Sequence, residues 1–194
     1  MNTLLRLDAS IRGDASISRR LTDRLVAQLA TPDTRVMSRD LSQGLTPIDG
    51  GWLSAIFSPA ETRTDDQALI VAQADALLAE LRAADTVVIG LPIYNFGVPA
   101  TLKTWFDMLA RKGETFTYTE QGPKGLLTGK RAFVALSSDG TELGGPIDFA
   151  SGYVRHMLGF FGITDVTFVA ADKMLFGADA AMERAETAID QIAA

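Results

Sequence analysis

The feature that most constrains the fold is a series of short apolar segments that are too short to be helices. Four of them are bounded by turn residues and are predicted to be strands buried on both faces, at residues 4–7, 86–89, 132–136 and 166–171. A fifth segment, residues 35–41, alternates polar and apolar side chains and therefore suits the edge of the same sheet. Together these segments predict one five-stranded parallel β-sheet.

Segments with helical periodicity lie between the predicted strands. Apolar residues recur there every three or four positions, as in residues 21–29, 70–81, 102–109, 149–160 and 182–192. Regular alternation of strand and helix predicts a doubly wound α/β fold, formed as a single domain over residues 1–194. The flavodoxin-like strand order 2-1-3-4-5 fits this rhythm and places a ligand crevice outside the carboxyl ends of strands one and three.

Two stretches depart from the alternation of strands and helices. Residues 115–129 contain Thr-Phe-Thr-Tyr-Thr followed by Gln-Gly-Pro, which predicts a β-hairpin insertion. Residues 43–64 are rich in Gly, Pro, Ser and Thr and carry no regular pattern.

The loop after the first predicted strand is rich in hydroxyl groups and leads into a helix. A helix N-terminus presents unpaired backbone N–H groups and a positive dipole end, and serine hydroxyls add donors that suit a terminal phosphate. The candidates are Ser10, Ser16, Ile17 and Ser18. Neither a GxGxxG nor a Walker pattern is present, so a monophosphate fits better than a diphosphate. Helix capping by Ser16 or Ser18 explains the same residues equally well.

The loops after the third and fourth predicted strands reach the same end of the sheet. The third strand ends in Pro92, Ile93, Tyr94, Asn95 and Phe96, where aromatic rings beside an amide suit a flavin ring; ordinary packing and turn formation are the alternative. The fourth strand is followed by the small polar residues Ser137, Ser138, Asp139 and Gly140. Each loop alone is weak evidence for a ligand site, and the prediction rests on all three loops lying at the same end of the sheet.

Composition excludes several classes of function. A net charge of −6 argues against nucleic-acid binding, which requires basic residues to neutralise phosphates. The chain has no cysteine, which excludes thiolate chemistry and cysteine-bound metals, and its single histidine, His156, has no partner at metal-ligand spacing. No signal peptide or membrane-spanning run is recognisable, so a cytoplasmic location is expected.

The chain closely resembles the FMN-dependent NADH azoreductases, which also reduce quinones, over nearly its whole length. Four blocks carry the resemblance: the serine-rich loop, the Pro-Ile-Tyr-Asn-Phe run at residues 92–96, the hairpin, and the Gly-Phe-Phe-Gly-Ile-Thr-Asp run at residues 159–165. The resemblance implies a homodimer that binds FMN and uses NADH or NADPH to reduce quinones or azo compounds in two steps. It also implies that Tyr118 and Phe160 line the substrate pocket of the opposite subunit, although interface packing is the alternative role for both.

No protein residue is assigned as a general acid or base, because the flavin supplies the chemistry that the resemblance implies. One departure concerns the loop after the fourth strand, where the family often has Ser-Arg-Gly-Gly and this chain has Ser137, Ser138, Asp139 and Gly140. The Asp139 carboxylate would disfavour an anionic reduced flavin, unless its side chain points to solvent.

Two other functions compete with the enzyme interpretation. An electron-carrying flavodoxin would bind FMN without turning over a small substrate, but the hairpin and the aromatic slot indicate a covered pocket. A serine hydrolase is disfavoured because the chain has no GxSxG motif and its one histidine lies outside the strand-end loops.

Overall fold

The computed structural model describes residues 2–192 and contains two β-sheets. The strands in chain order are β1 (Thr3–Asp8), β2 (Arg35–Asp40), β3 (Thr86–Pro92), β4 (Phe116–Thr119), β5 (Gly122–Gly125), β6 (Arg131–Ser137) and β7 (Asp165–Ala171). Five of them form a parallel sheet in the spatial order β2-β1-β3-β6-β7, and β4 and β5 form a separate antiparallel hairpin. The predicted order 2-1-3-4-5 and the predicted hairpin insertion are confirmed.

Helices cover both faces of the sheet. They are α1 (Ile17–Leu29), α2 (Gly50–Phe57), α3 (Asp65–Ala83), α4 (Ala100–Leu109), α5 (Ser151–Phe161) and α6 (Ala178–Asp190). Helix α2 lies within residues 43–64, a stretch that shows no regular pattern in the sequence. Asp49 starts it by accepting a hydrogen bond from the Trp52 N–H at 2.8 Å.

The strand periodicity of two divides the apolar side chains between two cores. Leu5 and Leu7 of β1 belong to the larger core, with residues of α3, α4 and α5, whereas Leu4 belongs to the smaller core with α1 and α6. Strand β3 is buried along its whole length, as a central strand covered on both faces should be. Each large apolar side chain buried in this way stabilises the fold by about 1.5–3 kcal/mol.

The hairpin is held against the C-terminal end of α5 by backbone contact. Gly162 ends α5 in the left-handed region with φ 104°, a conformation that glycine adopts without a Cβ clash. The backbone of Gly125 passes so close to Gly162 that a Cβ on residue 125 would overlap it. The Leu127 N–H also donates to the Phe161 carbonyl at 2.8 Å.

The longest of the described helices, α3, packs one side against the larger core and exposes charged residues on the other. Its N-terminus carries a capping box in which Thr64 and Gln67 bond reciprocally to each other's backbone N–H groups, and Asp65 and Asp66 occupy the first turn. None of the helices within residues 2–192 is both long and apolar enough to cross a bilayer.

Candidate functional site

Three strand-end loops meet in one cleft at the carboxyl ends of β1, β3 and β6. The cleft encloses about 190 Å³. Its walls are Ser10, Arg12, Ser16, Ile17, Pro92, Ile93, Tyr94, Ser137, Ser138, Asp139 and Met174. Nine of the thirteen cofactor residues predicted from the sequence are among them, so the structure brings most of the predicted set together at the expected crevice.

One end of the cleft is built from buried hydroxyl groups at the start of α1. Ser10, Ser16 and Ser18 are almost fully buried. Ser16 caps the helix by accepting from the Arg19 N–H at 3.2 Å, and its hydroxyl lies 3.1 Å from that of Ser18. Ser18 contacts Ser16 but is not itself among the wall residues of the cleft. The capping role of Ser16 is therefore confirmed, and the first-turn N–H groups of α1 have no partner inside the helix, which makes this end of the cleft suited to an anion.

Arg19 fixes the backbone of this hydroxyl-rich loop. Its guanidinium donates to the Ser10 carbonyl at 3.1 Å, to Asp40 at 2.6 Å and to the Ser42 hydroxyl at 3.2 Å. Partial burial alone would raise the pKa of Asp40, but hydrogen bonds from Arg19 and Ser42 outweigh it and lower the pKa to about 2. The loop after β1 is thus tied to the end of β2 by a neutralised ion pair.

Tyr94 joins the β3 loop to the β1 loop. Its hydroxyl accepts a hydrogen bond from the Ile11 N–H at 3.2 Å and lies 3.3 Å from the Ser10 hydroxyl. The sequence predicted Tyr94 beside the flavin ring; Tyr94 does line the cleft, and its hydroxyl bonds to the hydroxyl-rich loop.

The residues after Tyr94 form a strained tight turn. Tyr94 and Gly97 exchange two backbone hydrogen bonds of 3.1 and 3.0 Å, and the two residues between them, Asn95 and Phe96, both have positive φ angles of 47° and 68°. Left-handed backbone costs a residue such as Phe96 about 1–2 kcal/mol, and strain of this kind clusters at functional sites. In the described chain, Asn95 and Phe96 lie next to the cleft rather than in its walls, and the Phe96 ring is 53% exposed.

The β6 loop forms the opposite wall. The Ser137 carbonyl accepts from the Ile93 N–H at 2.9 Å, which joins this loop to the β3 loop. The Ser138 hydroxyl donates to the Thr141 carbonyl and closes the turn. Asp139 is solvent-exposed and lines the cleft, whereas Gly140 is not among its wall residues within the described range.

Two wall residues, Arg12 and Met174, were not assigned from the sequence. Met174 belongs to a short turn after β7, and the backbone N–H groups of Met174 and Leu175 donate to the carbonyls of Ser138 and Asp139 at 3.1 and 3.0 Å. The turn follows a parallel strand at its carboxyl end, which is the signal that would have identified it. Arg12 lies within the hydroxyl-rich loop itself.

Tyr118 and Phe160 lie in a separate aromatic cluster. Phe116 on the hairpin packs edge-on against Tyr118, with 5.5 Å between ring centroids, and its ring is tilted by 38° against that of Phe160, with 4.4 Å between centroids. Within residues 2–192 neither Tyr118 nor Phe160 is among the wall residues of the cleft, and Tyr118 is 63% exposed. One chain alone therefore does not bring these two residues to its own cleft.

The apolar residues of the predicted helix at 102–109 and the single histidine lie outside the cleft. Trp105, Phe106 and Leu109 are completely buried in the larger core, as their spacing predicted. His156 is exposed on α5. Across the described residues there is no cluster of three or more His, Asp or Glu side chains that could hold a metal ion.

A larger cavity lies between α2, α3 and α4. It encloses about 370 Å³, and its walls are Thr46, Pro47, Asp49, Trp52, Leu69, Ile70, Gln73 and Met108. This cavity is larger than the cleft, but among the cavities of residues 2–192 it is the cleft that combines converging strand ends, a helix N-terminus and buried hydroxyls. We therefore assign the candidate site to the cleft.

Comparison with known protein sequences agrees with this geometry. The family described as having a flavodoxin-like fold matches residues 2–194. A Cereibacter sphaeroides protein named FMN-dependent NADH:quinone oxidoreductase is 59% identical over 196 residues, covering all of both chains. FMN-dependent NADH:quinone oxidoreductase 1 of a Jannaschia species is 55% identical over 194 residues, again covering all of both chains.

Solved structures give the same result. An azoreductase from Bacillus anthracis superposes with a TM-score of 0.87 at 30% identity, over 99% of this chain and 100% of that chain. An FMN-dependent NADH-azoreductase from the same species, crystallised in complex with FMN, superposes with a TM-score of 0.87 at 26% identity over 100% of both chains.

Proposed function

Because this chain belongs to the flavodoxin-like fold family, among the FMN-dependent NADH:quinone oxidoreductases, we propose that it binds FMN and transfers electrons from NADH to quinones. Azo compounds are the second class of acceptor, by analogy with the azoreductases of similar structure. The single observation that best supports the proposal is the convergence of three strand-end loops on one cleft that combines buried hydroxyls at the start of α1 with Pro92, Ile93 and Tyr94 from the β3 loop.

The residues around the cleft fit FMN in chemical type. A phosphate needs several donors at a positive helix end, which Ser10 and Ser16 with the first turn of α1 supply. A flavin ring needs flat apolar walls and a few fixed polar groups, which the β3 and β6 loops supply. The full proposed set is Ser10, Ser16, Ile17, Ser18, Pro92, Ile93, Tyr94, Asn95, Phe96, Ser137, Ser138, Asp139 and Gly140.

The chain's own contribution to the reaction is binding and orientation. When bound, FMN would supply the redox chemistry, namely the two-electron exchange between the nicotinamide and the acceptor. The hydrogen bonds of Arg19 and Tyr94 hold the loop that would bind the phosphate. An ordered phosphate site would in turn help to orient the flavin ring of the same molecule. We assign no protein group as a general acid or base. The donor leaves before the acceptor binds at the same place, so exchange in two separate steps is expected.

We further propose that the active protein is a homodimer in which Tyr118 and Phe160 line the pocket of the opposite subunit. Large apolar side chains are left exposed on α2 and α3, with Phe57 80% and Leu69 76% exposed. Sedimentation velocity at micromolar protein concentration should give a dimer, and a monomer would remove the shared-pocket role of Tyr118 and Phe160.

A steady-state assay tests the enzyme proposal. The FMN-loaded protein should oxidise NADH in the presence of a small quinone, with parallel lines in double-reciprocal plots when both substrates are varied, as two-step exchange requires. Repeating the assay with NADPH measures the donor preference. If NADH is consumed only when a protein electron acceptor is supplied, the electron-carrier function replaces the enzyme function. NADH is a cellular metabolite, so we also propose a cytoplasmic location, which fractionation of the native host would test.

A further inference from the structure

We propose that Arg12 binds the phosphate group of FMN and makes the cleft select FMN over riboflavin, which lacks that phosphate. This inference rests on the proposed function and deepens it, because it names the group that supplies positive charge to the site. Among the wall residues of the cleft, Arg12 is the one cationic side chain, and it shares the walls with Ser10 and Ser16. The other charged wall residue, Asp139, is acidic.

The backbone of Arg12 is fixed at the hydroxyl-rich end of the cleft. Its N–H donates to the Ser10 hydroxyl at 3.3 Å, and its carbonyl accepts from the Ala15 N–H at 3.2 Å. A short 3-10 turn, Gly13–Ala15, follows it immediately and leads to Ser16. The side chain of Arg12 therefore starts from an ordered position between two of the serines proposed to bind phosphate.

The guanidinium of Arg12 is not committed to another charge. Arg6 pairs with Asp8 and Asp23, and Arg19 pairs with Asp40. Within residues 2–192, no salt bridge includes Arg12. The nearby Arg19 is not among the wall residues of the cleft, its charge is neutralised by Asp40, and its guanidinium holds the loop backbone.

A phosphate monoester supplies the charge that matches Arg12. It carries about −1.5 to −2 charges at neutral pH. Serine hydroxyls and backbone N–H groups bind such an anion but do not neutralise it, whereas a guanidinium does both, with two parallel N–H bonds. Arg12 should therefore strengthen binding of the phosphate group and leave binding of the flavin ring unaffected.

The test is flavin binding to apoprotein, measured through the fluorescence of free flavin. Arg12→Ala should weaken FMN binding by about tenfold, as expected for one charge-assisted bond at an exposed site, and should leave riboflavin binding unchanged. Arg12→Lys keeps the charge and should recover most of the loss. Arg20→Ala is the matched control, because Arg20 is exposed on α1 outside the walls of the cleft and its removal changes the net charge equally.

Each outcome separates the inference from the proposed function. Equal FMN affinity in the natural protein and Arg12→Ala would overturn the inference while leaving FMN binding intact. An equal loss for FMN and riboflavin would also overturn it, because the loop and not the phosphate contact would then be affected. If the natural protein binds neither flavin, the proposed function itself fails. The salt dependence of FMN binding provides a second readout, since its slope should fall in Arg12→Ala and stay constant in Arg20→Ala.

Discussion

Replacing Gly125 with alanine should push the hairpin away from α5, because the structure leaves no room for a methyl group where the two backbones cross. A Cβ at residue 125 would lie less than 3.0 Å from backbone atoms of Gly162, whereas non-bonded carbon atoms settle about 3.5–4.0 Å apart. Backbone lies on both sides of the overlap, so no rotamer change relieves it. Overpacking costs about 1–3 kcal/mol, and this rigid contact should reach the upper end, about 3 kcal/mol.

Urea unfolding followed by circular dichroism measures this loss. For a slope of about 2 kcal/mol/M, a loss of about 3 kcal/mol lowers the midpoint by about 1.5 M. Gly159→Ala on α5, the helix that Gly125 contacts, is the matched control, because a Cβ there meets no atom within 4 Å outside its own helix turn. Alanine is favoured over glycine inside a helix by about 0.5–1 kcal/mol, so this variant should gain stability. Equal midpoints for the natural protein and Gly125→Ala would refute the tight contact.

Three further predictions concern the cleft and its supports. Tyr94→Phe removes the hydroxyl that accepts from the Ile11 N–H and should lower the free energy of unfolding by about 1–2 kcal/mol; an unchanged urea midpoint would contradict this bond. Asp148→Ala removes the carboxylate that accepts from the backbone N–H groups of Ala150 and Ser151 at the start of α5, and should lower the free energy of unfolding by about 1–2 kcal/mol; an unchanged thermal midpoint would contradict a stabilising role for these bonds. The pKa of Asp40 falls from 3.8 to about 2 on folding. The ionised Asp40 therefore adds to the free energy of unfolding above pH 3.8, and this contribution is lost as the pH falls through about 2. After allowance for partial exposure this contribution is about 1 kcal/mol, and urea midpoints between pH 5 and 2 should show a shallower decline in Asp40→Asn than in the natural protein.

The overall architecture was predictable because its signals are local. Alternating buried strands and amphipathic helices determine a parallel sheet, and short right-handed connections leave few possible strand orders. The same logic places the loops after parallel strands at one edge, which is why Ser10, Tyr94 and Ser138 were expected near one another. Helix α2 was not predicted, because eight residues give too little periodicity to recognise.

The supports of the site depend on contacts between distant parts of the chain and were not predictable. The Ile11–Tyr94 bond joins residues 83 positions apart, and no spacing rule indicates it. Gly125 and Gly162 are each ordinary turn glycines in sequence, and only their mutual approach reveals the contact. The binding roles of the site residues and the single-domain interpretation stay predictions until they are measured.

A crystal structure of the FMN-loaded protein tests the central claim most directly, since that claim is a location. The phosphate should lie at the start of α1 between Ser10 and Ser16, and the ring should lie against the turns that follow β3 and β6. Flavin density in the α2–α3–α4 cavity, or a ring held away from both turns, would contradict the account.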